Sequence, residues 1–193
     1  MNVTNELPDS LLIDSYLDGN TISFSILINR YNSRIFTSIF LLVKDRFLAE
    51  DIFQETFIKI LDKLNSGKYN EEGKFLPWCM RIAHNLCIDH FRKIKRIPPI
   101  VTSDNNDLFQ YLNFIEPSIE EKMIKQETAS TLNKMLDLIP QDQREVIILR
   151  HYAGLSFKEI SIIMNCSINT ALGRMRYGLG NLRKIIETKQ ISI

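Results

Sequence analysis

The sequence predicts an all-α fold, two small helical domains joined by a linker, with the C-terminal domain ending in a helix-turn-helix. Three observations lead there. Apolar residues recur at three- and four-residue spacing along most of the chain, and strict alternation does not compete with that period. Seven glycines and six prolines in 193 residues leave room for few hairpin turns. Between residues 97 and 119 the period lapses, beginning at Pro98-Pro99, in a stretch where Ser, Asn and Asp are frequent. The expected boundaries are 9–96 for the first domain, 97–119 for the linker and 120–188 for the second. At 45% hydrophobic residues the chain can bury one ordinary core or two small ones.

The first helix is short, with Asp9 or Ser10 as its cap, Leu11, Leu12, Ile13, Tyr16 and Leu17 as its apolar residues, and Gly19-Asn20 as its end. From Ser23 to about Val43, a longer helix keeps Phe24, Leu27, Ile28, Tyr31, Ile35, Ile39 and Leu42 on one face and leaves Arg30 and Arg34 outside it. The segment RFLAEDIFQETFIKILDKL follows. Its buried stripe is Leu48, Ile52, Phe53, Phe57, Ile60, Leu61 and Leu64, while Asp51, Gln54, Glu55 and Ile58 fall at i, i+3, i+4 and i+7 on a second strip. Charged helix residues are usually plain solvated surface, but an aliphatic residue among them favours a protein-docking face.

A polar loop, NSGKYNEEGK, leads into a helix from Phe75 to Arg96. Phe75, Trp78, Ile82 and Leu86 form its inward stripe, which places Trp78 in the core. Arg81, Asn85, Ile88, Asp89 and Arg92 lie on or beside another face, and Lys93, Lys95 and Arg96 extend the positive end. An arginine face interrupted by an asparagine, beside a loop, suits gripping a nucleic-acid backbone while the loop meets exposed bases. Leu108, Phe109, Tyr111, Leu112 and Phe114 make the linker less polar than a free tether. Beyond it, a helix from about Ser118 to Leu138 closes at Pro140, and a shorter one from Gln141 to about His151 carries Val146, Ile147 and Leu149.

Ser156 and Glu159 are spaced as a capping box, so a helix starts there with Phe157, Ile160, Ile163 and Met164 as its stripe. Asn165, Cys166 and Ser167 make a turn and a new cap, and the last helix begins near Ile168. On it Ile168, Ala171, Met175, Gly178, Leu182 and Ile185 face inward. Asn169, Leu172, Gly173, Arg176 and Arg183 share the outward face, flanked by Thr170, Arg174, Tyr177 and Lys184. Such a helix suits a DNA major groove, where an arginine reads guanine edges and a leucine meets a thymine methyl. A helical hairpin with a solvated basic face is the other reading of the same residues.

Net charge is only +1, but it is segregated. Residues 1–65 hold six basic and nine acidic side chains, residues 66–96 seven and three, residues 97–140 three and seven, and residues 141–193 eight and four. Two basic blocks imply two contacts with phosphate, and the acidic surface implies a basic protein partner. Three cysteines without a C-x-x-C agree with a reducing compartment. Cys79, His84, Cys87 and His90 share one predicted helix, but they point around it in different directions, so no metal site is expected. No Ser-His-Asp set, phosphate-cradling glycine loop or paired catalytic carboxylates can be assembled. With no apolar run of about 18 residues and no basic-then-apolar N-terminus, a soluble, cytoplasmic protein is expected.

Both halves resemble one family, the small bacterial RNA polymerase sigma factors of the extracytoplasmic-function type. AEDIFQETF resembles that family's core-polymerase-binding motif. F-x-x-W followed by RIAHNLCIDHFRK is similar to its −10 segment, and IPQDQREVIILRHYAGLSFKEISIIMNCSINTALGRMRYGLGNLRK to its −35 reader. The resemblance implies that Asp51, Gln54, Glu55 and Ile58 dock on the clamp of the polymerase's largest subunit. It implies that Lys68, Lys74, Arg81, Asn85, Asp89, Arg92 and Lys93 handle the −10 DNA as it opens, with a non-template base captured beside the loop. It places Leu172, Gly173, Arg176 and Tyr177 at −35 base edges or beside them, and Ser167, Asn169, Thr170 and Arg174 on phosphates. The implied partners are core polymerase, including the flap of its second-largest subunit, promoter DNA and an anti-sigma factor that holds the chain inactive, often at the membrane. No cofactor, metal, small-molecule substrate or catalytic residue is implied.

The chain departs from the family pattern at three places. Leu172 and Gly173 replace the usual basic residue and serine, His84 stands where a basic or aromatic residue is frequent, and Gly178 and Gly180 each cost the last helix about 1 kcal/mol relative to alanine. Two other classes fit parts of the sequence: a one-component regulator with the same C-terminal reader, and a helical metal-dependent hydrolase.

Overall fold

A computed structural model describes residues 7–69, 73–95 and 134–189. Every regular element among them is a helix, and the chain divides into two compact units, each described by itself. The predicted linker at 97–119 lies outside the described residues, as does most of the helix predicted from Ser118. Of its described part, residues 134–136 are helical, and Met135, Leu136 and, just beyond, Ile139 are buried.

The first unit has four helices: α1 (Asp9–Leu17), α2 (Thr21–Val43), α3 (Arg46–Asn65) and α4 (Phe75–Lys95). α2 packs against the other three, and α3 also packs on α4. Leu12 and Ile13, Leu27, Ile35 and Ile39, Ile60 and Leu64, and Phe75 and Met80 meet in the core. Caps set the starts. Asn20 accepts from the Ile22 N–H at 3.1 Å, and Asp45 from the Leu48 N–H at 2.8 Å. Gly19, at φ +101°, takes the positive-φ turn between α1 and α2.

α1 departs from its predicted cap. Pro8 occupies the N-cap position without a side-chain hydrogen bond, and Asp9 is instead drawn to α2, where it pairs with Arg30 and accepts from the Tyr31 hydroxyl at 2.6 Å. A charge-assisted bond from a guanidinium outweighs an ordinary cap. Burial, and then the Asp9 carboxylate, push the Tyr31 phenol up to about 12.

α3 buries Ala49, Ile52, Thr56, Ile60 and Leu64. The sequence pattern missed Thr56, which is sealed in because its hydroxyl donates to the Ile52 carbonyl at 2.7 Å. Phe53 and Phe57, predicted fully inward, are half-buried and stack edge-on in a row with Phe36, at 5.5 and 4.8 Å between centroids. α4 is covered on two sides by α2 and α3. Cys79, Met80, Ala83, His84 and Cys87 are therefore buried along with Phe75, Ile82 and Leu86, and burial raises the Cys79 thiol. Trp78 is half-buried beneath Tyr69, 4.4 Å between centroids.

The second unit comprises α5 (Gln141–His151), α6 (Phe157–Ile163) and α7 (Ile168–Lys189). The Ser156–Glu159 capping box is formed, and Asn165, at φ 49°, turns the chain between α6 and α7. Val146, Ile147, Ile148 and Leu149 are buried, as are Ile160, Ile163 and Ala171. Ile168 was expected inward but is 45% exposed. It is the first residue of α7, and helical side chains lean toward the N-terminus, so this one leans past the end of the packed surface.

Gly178 is buried, and a Cβ there would lie 2.9 Å from Ile147 Cδ1 and 3.2 Å from Gln143 Cβ. The glycine that looked like a weakness in the helix is the point where α5 and α7 touch. Asn181 Nδ2 donates to Gln143 Oε1 at 2.8 Å beside the same contact.

Candidate nucleic-acid interface

α7 supplies the first surface. Ser167 caps it, accepting from the Thr170 N–H at 3.0 Å, and the two hydroxyls pair at 2.8 Å. The hydroxyls expected on phosphate are thus engaged with each other at the helix start, while both side chains stay exposed. At 100° per residue Asn169, Leu172, Gly173 and Arg176 fall within an arc of about 100°. Asn169 and Arg176 are exposed, Leu172 is 43% exposed, and Gly173 between them is half-buried, with open space where a Cβ would stand. Arg183 continues this arc two turns on. Tyr177, also exposed, lies to one side of it.

Arg174 is not part of that arc. Its side chain turns to α5 and meets Asp142 at 3.0 Å, leaving it 28% exposed. In the sequence it looked like one more flanking arginine, and only the packing of α5 supplies the acid that engages it. Replacing Asp142 with asparagine frees this guanidinium and removes a negative charge from the rim. DNA binding by the full chain should then tighten several-fold at low salt, with a salt slope steeper by about one phosphate contact. Anisotropy titrations at two salt concentrations check this, and an unchanged slope would remove Arg174 from the phosphate set.

α4 supplies the second surface. Arg81, Asn85 and Arg92 stand exposed in one line along it, with Asp89 and Lys93 beside them. Asp89 pairs with Arg92 at 3.3 Å; both are well exposed, so the pair contributes little to stability. Lys68 and Lys74 stand exposed on either side of residues 70–72, which lie outside the described set. No local pattern marks Tyr69, yet it lies over Trp78 and Phe75 and so holds the start of that loop against α4.

On α3, Asp51, Gln54, Glu55 and Ile58 are all exposed on the side opposite the core, and Glu55 meets Lys59 at 3.0 Å. Among the described residues no group of His, Cys, Asp and Glu is arranged to hold a metal ion. None of their helices is long and apolar enough to cross a membrane.

A capped helix with an exposed amide-and-arginine arc, together with a separate unit carrying a second basic helix face, defines a two-module DNA-binding protein. The comparisons make that class specific. Residues 27–97 match the family Sigma-70 region 2 and residues 130–172 match Sigma-70, region 4. The chain is 31% identical over 172 residues to the RNA polymerase sigma-H factor of Pseudomonas aeruginosa, covering 86% of this chain and 88% of that protein. To the ECF RNA polymerase sigma-E factor of Haemophilus influenzae it is 27% identical over 192 residues, covering 97% of each. Two solved structures share the fold. CnrH, in complex with the cytosolic domain of CnrY, superposes with a TM-score of 0.67 at 18% identity over 94% of this chain and 99% of that one. The sigma factor RpoE, in complex with the anti-sigma factor NepR from Bartonella quintana, gives 0.66 at 19% identity over 85% and 96%.

This chain belongs to the sigma-70 family, as a sigma factor of the extracytoplasmic-function type. Its activity is to direct promoter-specific transcription initiation by core RNA polymerase.

Proposed function

We propose that the three surfaces divide this task between them, with the first domain spanning 9–96 and the second 120–188. The α3 strip of Asp51, Gln54, Glu55 and Ile58 docks on the clamp of the largest polymerase subunit, and the second domain rests on the flap of the second-largest. Lys68, Lys74, Arg81, Asn85, Asp89, Arg92 and Lys93 engage the −10 element. Capturing an unstacked base beside the loop offsets part of the cost of opening the duplex. Leu172, Gly173 and Arg176 read −35 base edges with Tyr177 beside them, while Ser167, Asn169, Thr170 and Arg174 contribute the phosphate contacts. The chain uses no metal or cofactor, catalyses nothing itself and works in the cytoplasm. An anti-sigma protein restrains it, at the membrane or in solution; the related RpoE was captured with such a partner.

The observation that carries the proposal is the arc of exposed Asn169, Leu172 and Arg176, with half-buried Gly173 among them, over a helix back sealed at Ala171 and Gly178. Leucine and glycine in place of a basic residue and a serine suit an element read through a thymine methyl and close backbone approach as much as through charge.

Transcription reconstituted from sigma-free core polymerase, this chain and a genomic fragment library tests the proposal. Discrete start sites that depend on the chain are expected. Operator binding by the chain alone, with transcripts only when another sigma factor is added, would reject it in favour of a one-component regulator. Within the −35 set, Arg176→Ala should relax base preference by about 1–3 kcal/mol at one position. Run-off transcription across single-base −35 variants measures this, and an unchanged ranking would take Arg176 out of the reading set.

A further inference from the structure

Phe47 is the most exposed of the large hydrophobic residues among the described ones, at 79%. It lies in the first turn of α3, two residues after the Asp45 cap, where the capping bond to the Leu48 N–H holds the backbone in helix. Taking 100° per residue, Phe47, Asp51, Gln54 and Ile58 fall within an arc of about 60°, and Glu55 borders it. The buried residues of the helix, Ala49, Ile52, Thr56 and Ile60, point the other way. Phe47 therefore continues the α3 strip by one turn. A phenyl ring at one end and Ile58, 58% exposed, at the other bracket a centre of two carboxylates and an amide.

At 79% exposure the side chain buries little against the described residues. Its neighbours Phe53 and Phe57 stack with Phe36 on another side of the helix. Solvated surface explains the acids of the strip but not a phenylalanine left in water, which loses the free energy of burying its ring. Aromatic anchors flanked by polar residues are the usual composition of a protein-binding patch.

We infer that Phe47 is an anchor of the core-polymerase interface, seated in an apolar recess of the polymerase whose rim is basic enough to meet Asp51 and Glu55. The inference rests on the assignment of the α3 strip to polymerase and extends that strip to about 16 Å, three turns of helix. The occupant is polymerase rather than a second copy of this chain, because two α3 strips facing each other would set Asp51 and Glu55 against like charges.

The test measures the affinity of full-length chains for sigma-free core polymerase by competition with a labelled wild-type chain, using Phe47→Ala, Phe47→Leu and Glu55→Lys. Phe47→Ala should bind roughly ten- to a hundredfold more weakly, and Phe47→Leu should recover most of the loss. Melting temperature and DNA binding by the chain alone should not change for either variant. If Glu55→Lys weakens binding and Phe47→Ala does not, the inference about Phe47 is overturned while the strip assignment stands. Should neither weaken it, the strip assignment fails and takes the inference with it. A wild-type dimer in sedimentation that Phe47→Ala dissociates would assign the ring to self-association and overturn the inference as well.

Discussion

Gly178→Val should destabilise the second unit by about 2–4 kcal/mol and disable −35 binding with it. The Ile147 methyl that a Cβ would meet at 2.9 Å is the free end of a side chain and can swing away. Gln143 Cβ, at 3.2 Å, is fixed to the α5 backbone and cannot. A valine adds two further carbons at that point, so α5 and α7 must separate. The bond from Asn181 to Gln143 then stretches, and the arc that carries Leu172 and Arg176 tilts. Replacing a helical glycine recovers a few tenths of a kcal/mol in propensity, too little to offset the overpacking. Gly180 is the control, since a Cβ there meets nothing within 4 Å. Gly180→Ala should stabilise the same helix by about 1 kcal/mol. Urea melts of the full chain, followed by hydrogen exchange on α5 and α7, would compare the two. Equal stability of Gly178→Val and wild type would show that the helices do not need this close approach.

Glu55→Lys should weaken binding to core polymerase by about a hundredfold while the chain folds and binds −35 DNA as before. Reversing a charge at the centre of a docking strip both removes an attraction and places like charge against the basic partner. Among the described residues Glu55 has its pair with Lys59, an exposed i,i+4 contact that contributes a few tenths of a kcal/mol. An affinity loss with an unchanged melting curve therefore reports the interface. Core binding as tight as wild type would move the docking surface off α3.

Local signals made most of the candidate surfaces legible. Ser156 and Ser167 each sit one residue before a helix whose first free N–H groups need an acceptor, and the observed caps are these residues. Ile58 stood out because an aliphatic residue broke a polar face. Other side chains have partners that no local signal announces, for one shared reason. Asp9 is a good cap by type, but its partners Arg30 and Tyr31 lie on the next helix and hold it more strongly. Arg174 has the phase of a flank residue, but Asp142 on α5 engages it. Tyr69 sits in a polar loop stretch, and the Trp78 ring beneath it belongs to the next helix.

By itself the sequence determined the fold class, the starts of the last two helices and the family, because hydrophobic period, capping geometry and motif order are all settled within a few residues of chain. Tertiary structure alone decided which arginines are free to meet DNA, why Gly178 must be glycine and that Phe47 stands in water. Each of those depends on what an element distant in sequence places, or fails to place, within a few ångströms of the side chain, and helical spacing carries no record of that.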